Sequence, residues 1–340
     1  MNRAAVLAGV GAALPPRVVT NDELARRLDT SDEWIRSRTG IRQRHVVDPG
    51  TATGDLAELA GRRALESAAA TGGRPARADL LVLATTTPDR PCPATAPDVA
   101  ARLGLGGVPA YDVNAVCSGF LYALAAAQGH IATGLAEQVL VVAADTFSTI
   151  LDPQDRTTLA VFGDGAGAVL LRAGEPGEPG ALLDVRLGSD GTRADLITVR
   201  AGGSARPLHG AGVGDEDRYF RMAGREIFRE AVLRMTESSR EVLGRVGWAV
   251  GDLDAVVGHQ ANLRILQAVA EQLDLPAERL VANIDRVGNT AAASIPLALA
   301  DALGAGRLAK GDRVLLTAYG GGATWGAAAV EWPGLAPANS

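Results

Sequence analysis

Short, continuous apolar runs alternate along the chain with longer stretches in which apolar residues recur at helical spacing. The clearest apolar runs are residues 80–84 (LLVLA), 139–144 (VLVVAA) and 313–317 (RVLLT). Strands of a parallel sheet are buried on both faces, so they carry apolar residues continuously. The pattern therefore predicts buried strands at these positions, and the alternation of strands with helices is typical of layered α/β proteins.

Alanine-rich stretches between these runs predict helices that rest on the sheet. The predicted helices cover residues 56–70, 96–103, 119–132, 225–246, 263–273 and 294–303. The amino-terminal run at residues 4–14 is followed by Pro15 and Pro16. This pattern favours a first buried strand that ends in a turn, rather than a secretion signal.

A weak internal repeat suggests two similar halves. Residues 163–171 form a glycine-rich turn followed by an apolar run, and residues 320–330 show the same order. Residues 174–180 (GEPGEPG) are the most linker-like stretch between them. We therefore predict an amino-terminal half at residues 1–173 and a carboxy-terminal half at residues 174–340. A surface hairpin loop at 174–180 is the alternative.

Composition is that of an ordinary globular protein with room for a sizeable core. The 340 residues carry a net charge of −6, which argues against a general nucleic-acid binder. Polar side chains interrupt the longest uncharged stretch, between Asp112 and Glu137, so we expect no membrane span. Cys92 and Cys117 are too few for a disulfide framework or a zinc set. A reduced, cytoplasmic location and no metal site are expected.

Cys117 lies where a predicted strand, residues 110–115, turns into the apolar helix at 119–132. A thiol at a helix amino terminus feels the positive end of the helix dipole, which lowers its pKa and favours the thiolate. Backbone N–H groups at such a turn can also hold an oxyanion. Cys117 is therefore a candidate nucleophile, with a buried structural cysteine as the alternative.

His259 and Asn289 stand at two comparable junctions. His259 ends an apolar run and precedes a predicted helix, and active-site groups of layered α/β proteins favour the ends of strands. Asn289 also precedes a helix, where an ordinary helix cap is the alternative. Gly9 and Gly11 lack the third glycine and the following helix of a dinucleotide-binding turn, so we exclude that function.

Taken together, the segments around these residues resemble the Cys, His and Asn motifs of one known family. The segments are residues 112–120 (DVNAVCSGF), 258–265 (GHQANLRI) and 288–296 (GNTAAASIP). Further matching segments, in the same order along the chain, are residues 29–35 (DTSDEWI), 38–42 (RTGIR), 162–168 (FGDGAGA) and 319–326 (YGGGATWG). The family is that of the β-ketoacyl-acyl carrier protein synthases III. The resemblance implies an α/β, thiolase-like fold, with two similar α/β halves packed as five layers, and a homodimer.

The resemblance also implies a reaction, the decarboxylative Claisen condensation of an acyl-CoA starter with malonyl-acyl carrier protein. Cys117 would carry the acyl group as a thioester. His259 and Asn289 would donate hydrogen bonds to the malonyl thioester oxygen, and an amide cannot titrate in that role. The backbone N–H groups of Cys117 and Gly321 would form the oxyanion hole. The CoA thioester is then a substrate, and no cofactor is expected.

The same resemblance implies substrate contacts at eight positions. They are Trp34 and Arg156 at the CoA adenine, Arg38 at the nucleotide end, Arg225, Arg229, Asn262 and Arg264 around the tunnel mouth, and Cys92 at the acyl pocket. An arginine patch can recruit an acidic carrier protein although the whole chain is acidic. A solvated helix face is the alternative for these arginines. Arg225 also stands where members of the family often carry Asn.

Cys92 lies in residues 89–95 (DRPCPAT), a loop that usually meets the acyl pocket of the partner subunit. A small residue there predicts room for a longer or branched starter. Two other functions remain open. One is an acyltransferase of the same fold that moves an acyl group from CoA or carrier protein to a natural-product acceptor. The other is a non-catalytic partner of a ketosynthase, which the presence of Cys117 disfavours.

Overall fold

A computed structural model describes residues 3–73, 75–209 and 212–337. The outermost residues of the two predicted halves, 1–2 and 338–340, lie outside this description. The strands are β1 (Ala4–Ala13), β2 (Val18–Thr20), β3 (Gln43–His45), β4 (Leu80–Ala84), β5 (Ala110–Val113), β6 (Gln138–Asp145), β7 (Gly165–Gly174), β8 (Leu182–Ser189), β9 (Ile197–Val199), β10 (Phe220–Met222), β11 (Ala255–Gly258), β12 (Leu280–Val281), β13 (Arg313–Gly320) and β14 (Thr324–Glu331). The α-helices are α1 (Asn21–Ala25), α2 (Asp32–Thr39), α3 (Thr53–Gly72), α4 (Ala96–Arg102), α5 (Gly119–Ala132), α6 (Arg156–Leu159), α7 (Gly224–Val246), α8 (Leu263–Gln272), α9 (Ile284–Val287) and α10 (Ser294–Gly304).

Two mixed sheets of five strands form the framework. Their strand orders are β5-β4-β6-β7-β1 and β12-β11-β13-β14-β8. In the first sheet β4 runs parallel to β5 and β6, whereas β7 is antiparallel to both β6 and β1. In the second sheet β11 runs parallel to β12 and β13, and β14 is antiparallel to both β13 and β8. The two sheets therefore share one strand order and one pattern of directions.

Helices cover both outer faces of the sheets and fill the space between them. Helices α3 and α4 pack on the outer face of the first sheet, and α7 and α8 on that of the second. Helices α5 and α10 lie between the two sheets, in the largest apolar cluster. The predicted α/β class and its five layers are confirmed. None of the described helices combines the length and the apolar character needed to cross a bilayer.

Most predicted elements are present with small changes at their ends. The run at 80–84 is strand β4, and the runs at 139–144 and 313–317 lie within β6 and β13. The predicted helices correspond to α3, α4, α5, α7, α8 and α10. Residues 4–13 form strand β1, as expected for the amino-terminal run. The linker-like stretch lies between β7 and β8, and the division into halves at residue 173 stays a prediction.

Strand β1 lies unusually close to helix α3 because two of its residues lack side chains. A Cβ at Gly9 would lie 2.3 Å from the carbonyl oxygen of Ala64. A Cβ at Gly11 would lie 2.3 Å from the carbonyl oxygen of Ala60. Both distances are shorter than any van der Waals contact, so helix α3 can pack this closely on β1 only if both positions are glycine.

We expect Gly11→Ala to lower the free energy of unfolding by about 1–3 kcal/mol, because the added methyl group overpacks the interface between strand and helix. The matched control is Gly129→Ala in α5, where an added Cβ would meet no atom within 4 Å. There the same substitution should raise stability by about 1 kcal/mol through helix propensity. Urea unfolding of both variants measures the two effects. Equal stabilities of wild type and Gly11→Ala would contradict this view of the interface.

Candidate active site

Cys117 lies in a sharp turn between β5 and α5. Residues Val116–Ser118 form one turn of 3₁₀ helix, and Val116 has a left-handed φ of 47°. That conformation is strained for a β-branched residue, so the surrounding structure must hold it in place. The turn sets Cys117, which is 7% exposed, at the amino-terminal end of α5. This is the position that the sequence predicts.

His259 follows strand β11 and is buried. Its Nδ1 lies 2.6 Å from Oγ of Ser294, the first residue of α10. The backbone N–H of Gln260 donates to the same hydroxyl oxygen over 3.3 Å, which leaves the hydroxyl proton for Nδ1. This arrangement favours the tautomer with its hydrogen on Nε2. Burial lowers the pKa of His259 to about 3, so the imidazole is neutral.

The backbone of Asn289 is held by two hydrogen bonds to a neighbouring segment, one to a carbonyl oxygen and one from an N–H group. Its N–H donates to the carbonyl oxygen of Val161, and its own carbonyl oxygen accepts from the N–H of Gly163, both over 2.9 Å. Its side-chain Oδ1 accepts from the N–H of Ala291 over 2.9 Å. This bond closes a local turn, but Asn289 is not a helix cap, because the N-cap residues of the 3₁₀ turn Ala291–Ala293 and of α10 are Thr290 and Ala293. With Oδ1 held in this bond, Nδ2 is the amide atom left to donate to a ligand.

The three predicted catalytic residues line one small cavity of about 120 Å³. Apart from Asn262, the remaining lining is almost entirely apolar and comes largely from β10, α7 and α8. Cys117, His259 and Asn289 are far apart in sequence, and the fold brings them together as predicted. Within the described part of the chain, no cluster of three or more His, Cys, Asp or Glu side chains is arranged to hold a metal ion.

The glycine run after β13 rests directly on the Cys117 turn. A Cβ at Gly320 would lie 2.8 Å from the backbone nitrogen of Cys117 and 2.9 Å from that of Ser118. A Cβ at Gly321 would lie 3.1 Å from a methyl carbon of Val116. Only glycine permits this approach of one backbone to another. The predicted oxyanion-hole residues, Cys117 and Gly321, therefore lie on adjoining segments.

The ionisation state of Cys117 differs from the prediction. Burial, and after it the nearby carboxyl group of Asp145, raises the pKa of the thiol above its ordinary value. The backbone N–H of Cys117 lowers this pKa but does not outweigh the other two effects. The predicted lowering at the helix terminus is therefore wrong for the resting site. Local sequence indicates a helix end but not how completely the core excludes water.

The three residues predicted to contact the nucleotide part of CoA lie around one indole ring. The guanidinium carbons of Arg38 and Arg156 are 4.9 Å and 5.2 Å from the ring centroid of Trp34. Arg156 also donates to a carboxylate oxygen of Asp29 over 3.1 Å. The structure thus brings Trp34, Arg38 and Arg156 together at a half-buried aromatic surface.

Four of the other residues predicted to contact the substrates lie around the cavity. Arg225 and Arg229 are exposed one turn apart near the start of α7, whose residue Phe228 lines the cavity. The guanidinium carbon of Arg264 lies 6.0 Å from the centre of the Phe228 ring. Asn262 lines the cavity, and its Oδ1 accepts from the N–H of Arg264 over 2.9 Å. All four predicted residues are therefore placed at or next to the cavity.

Cys92 is separate from this cavity. It is exposed, in the loop between β4 and α4. A groove of about 940 Å³ lies on the other side of the Cys117 turn and is lined in part by Val116, Gly321 and Pro91. Phe220 lines both the groove and the catalytic cavity. The contact of Cys92 with an acyl pocket of another subunit stays a prediction.

We expect His259→Gln to remove a contribution to stability that depends on pH. The folded-state pKa of His259, about 3, lies below the ordinary value of 6.5. Above pH 6.5 the imidazole is neutral in both the folded and the unfolded chain, and its contribution to stability is complete. As the pH falls from 6.5 toward about 3, only the unfolded chain takes up the proton, so this contribution is lost. The difference in unfolding free energy between wild type and variant should therefore shrink below pH 6.5, by at most about 1.4 kcal/mol per pH unit. Urea unfolding across this range tests the prediction. A constant difference would contradict the assignment of a neutral buried imidazole.

Comparisons with known proteins identify the family of this chain. The family model described as 3-oxoacyl-[acyl-carrier-protein] synthase III matches residues 111–191, and the model of its C-terminal part matches residues 243–332. A β-ketoacyl-[acyl-carrier-protein] synthase III of Streptomyces coelicolor is 62% identical over 99% of this chain and 100% of its own length.

Solved structures show the same similarity in three dimensions. The crystal structure of 3-oxoacyl-(acyl carrier protein) synthase III from Pseudomonas aeruginosa superposes with a TM-score of 0.91 and 53% identity, over 98% of this chain and 100% of that one. The priming β-ketosynthase of a polyketide biosynthetic pathway gives a TM-score of 0.89 and 33% identity, over 98% and 97% of the two chains. The fold is therefore thiolase-like. The chain belongs to the 3-oxoacyl-[acyl-carrier-protein] synthase III family.

Proposed function

We propose that this protein condenses an acyl-CoA starter with malonyl-acyl carrier protein, with loss of CO2, and so initiates fatty-acid or polyketide synthesis. The observation that carries the proposal is the shared cavity of Cys117, neutral His259 and Asn289. A thiol can hold the acyl group, and two neutral donors can stabilise an enolate without titrating. The synthases named above support the same reaction class.

In the first half-reaction the acyl group moves from CoA to Cys117. A bond forms between Sγ and the acyl carbon, the carbon–sulfur bond to CoA breaks, and the thiol proton of Cys117 leaves with the CoA thiol. The negative charge that develops on the acyl oxygen is stabilised by the backbone N–H groups of Cys117 and Gly321. The close packing of Gly320 on the Cys117 turn supports this arrangement of two backbone donors.

In the second half-reaction malonyl-acyl carrier protein replaces CoA. The bond to the malonyl carboxylate breaks, CO2 leaves, and the electron pair forms an enolate. Nε2–H of His259 and Nδ2–H of Asn289 donate to the enolate oxygen. The enolate carbon then attacks the acyl thioester, and the thiolate of Cys117 that is released takes up a proton from solvent.

The substrates reach this cavity from the side that carries the arginines. Trp34, Arg38 and Arg156 hold the nucleotide of CoA, and stacking of Arg156 on the indole ring supports this role. Around the cavity mouth lie Asn262 and the arginines 225, 229 and 264, which attract an acidic carrier protein. CoA is consumed as a thioester substrate, and the proposed chemistry draws on no resident cofactor.

We further propose a homodimer in the cytoplasm. The large groove reaches Val116 and Gly321 directly behind the nucleophile, and a second copy of the chain that covers it would exclude water from the acyl pocket. In such a pair the loop that carries Cys92 in one copy enters the groove of the other. The two free cysteines, Cys92 and Cys117, favour a reducing compartment.

The central experiment follows each half-reaction separately. Intact-mass analysis measures acylation of Cys117 across a panel of acyl-CoA thioesters, and CO2 release is measured after addition of malonyl carrier protein. We expect Cys117→Ala to form no acyl enzyme. We expect Asn289→Asp to acylate normally but to lose about 10² to 10³ in condensation rate, because a carboxylate replaces a preorganised donor.

Three results would contradict this proposal. A stable acyl adduct on Cys117→Ala would place the nucleophile elsewhere. Normal condensation by Asn289→Asp would leave that residue with only a structural role in its turn. Acylation without CO2 release in the wild type would favour the acyltransferase alternative, in which the acyl group passes to an alcohol or amine acceptor.

Cys92→Phe tests the predicted contact between subunits. A bulky ring at the acyl pocket should shorten the usable tunnel, since packed interiors tolerate added volume poorly. Acetyl-CoA should still acylate Cys117, whereas longer starters should lose about 0.8 kcal/mol per methylene that can no longer be buried. Acylation rates for acetyl-, butyryl-, isobutyryl- and hexanoyl-CoA provide the measurement. An unchanged order of preference would place Cys92 away from the pocket, and a uniform loss would indicate a damaged dimer interface.

A further inference from the structure

The turn that carries the nucleophile has a counterpart in the second sheet. Val116 and Ala291 both have a left-handed φ of 47°, and each begins a 3₁₀ turn that leads directly into a helix between the sheets. Asn114 and Asn289 lie two residues before these positions, and the side-chain oxygen of each accepts from the backbone N–H two residues on. By this correspondence the counterpart of Cys117 is Ala292.

The strands beside the two turns end in different residues. Strand β13 ends at Gly320, which has no side chain to reach the backbone nitrogen of Cys117, 2.8 Å from where its Cβ would lie. Strand β6 occupies the same place in the first sheet and ends at Asp145. Its carboxylate oxygen Oδ2 accepts from the N–H of Ala292 over 3.1 Å. One turn is therefore kept open at its backbone, whereas the other is bound by a side chain.

Asp145 is completely buried and joins the two halves of the site. Its other oxygen, Oδ1, accepts from the backbone N–H groups of Thr86 and Thr87 over 2.7 Å and 3.2 Å. The hydroxyl of Thr87 donates to the same oxygen over 3.1 Å. The carboxylate thus links the end of β4 in the first sheet to the turn before α10 in the second.

The turn that Asp145 holds lies between one enolate donor, Asn289, and the hydroxyl that orients the other, His259. Asn289 lies three residues before Ala292, and Ser294, which orients the imidazole of His259, lies two residues after it. Movement of this turn would therefore displace the amide of Asn289 and the partner of His259 together. A displacement of this kind by about 1 Å can cost 10²-fold in rate.

We infer that Asp145 is a positioning residue for condensation, which acts by fixing the turn of Ala292 and so holding Asn289 and His259 against the substrate on Cys117. This inference rests on the proposed function, because it assigns Asp145 to the decarboxylating half-reaction. The acyl-transfer half-reaction depends on Cys117 and on the glycine run after β13. That half-reaction should be much less sensitive to Asp145.

Asp145→Asn keeps an acceptor at one of the two carboxylate oxygen positions and puts a donor at the other. The amide oxygen can still accept from the Thr86 and Thr87 donors, but the amide NH2 then faces the N–H of Ala292, so two donors oppose each other. The matched control is Asp112→Asn. Asp112 also lies on a strand of the first sheet and accepts from the N–H groups at a helix start, those of Thr95 and Ala96, both over 2.8 Å.

The experiment uses the full-length chain and measures both half-reactions. We expect Asp145→Asn to lower CO2 release and condensation by about 10²-fold and to change single-turnover acylation of Cys117 by less than about tenfold. Asp112→Asn should lower the thermal unfolding temperature without this split between the half-reactions. If Asp145→Asn does not fold, Asp145→Ser serves as a second variant, because it also removes the acceptor for Ala292.

A second readout reports the charge of Asp145. Cys117 is a titratable side chain close to this carboxylate, and the groups that donate to the carboxylate are those of Thr85, Thr86, Thr87 and Ala292. Removal of the negative charge should lower the pKa of the thiol. The pH profile of Cys117 alkylation by iodoacetamide should then move to lower pH in Asp145→Asn and stay unchanged in Asp112→Asn. Peptide mass spectrometry distinguishes Cys117 from Cys92.

Two results would overturn the inference alone. One is a wild-type rate of CO2 release by a folded Asp145→Asn or Asp145→Ser. The other is an equal loss in acylation and condensation, which would indicate general damage to the site. A wild-type chain that forms the acyl enzyme but releases no CO2 would overturn the proposed function, and this inference with it.

Discussion

The two halves of the molecule meet at the starts of α5 and α10, and only small residues allow that contact. A Cβ on Gly119 would lie 3.3 Å from the Cβ of Ala292 and 3.1 Å from that of Ala84. This contact sets the position of Cys117, on one half, relative to His259 and Asn289 on the other. A larger side chain here would push the starts of the two helices apart and displace Cys117 from His259 and Asn289, since closely packed interiors transmit such strain.

Exclusion of water controls the chemistry of the cavity. Burial keeps His259 neutral and raises the pKa of Cys117, so neither side chain is charged in the resting cavity. In the proposed reaction, charge develops there only as the oxyanion and the enolate. Fixed hydrogen-bond donors have their greatest effect on such charges in a dry, low-dielectric cavity. The buried carboxylate of Asp145 lies behind this cavity and braces its second half.

Local sequence patterns were sufficient for much of the secondary structure and for the choice of the candidate catalytic residues. Continuous apolar runs such as residues 80–84 identify strands buried on both faces. The segment at 162–168 has a structural explanation, because the N–H of Gly163 donates to the carbonyl oxygen of Asn289. The roles of Ser294 and Asp145 were not predicted. Ser294 looked like one more residue at a helix start, and nothing near Asp145 in sequence indicates a partner in the second half.

The sequence alone determined the α/β class, many of the elements, the family resemblance and the choice of Cys117, His259 and Asn289 as candidate catalytic residues, because each depends on residues close together in the chain. The tertiary structure decided the common cavity of those residues, the tautomer of His259 and the direction of the Cys117 pKa shift. These properties arise between different elements that the fold brings together, such as His259 after β11 and Ser294 in α10. They depend on which groups surround a side chain and how far water is excluded, and periodicity along one segment carries no such information.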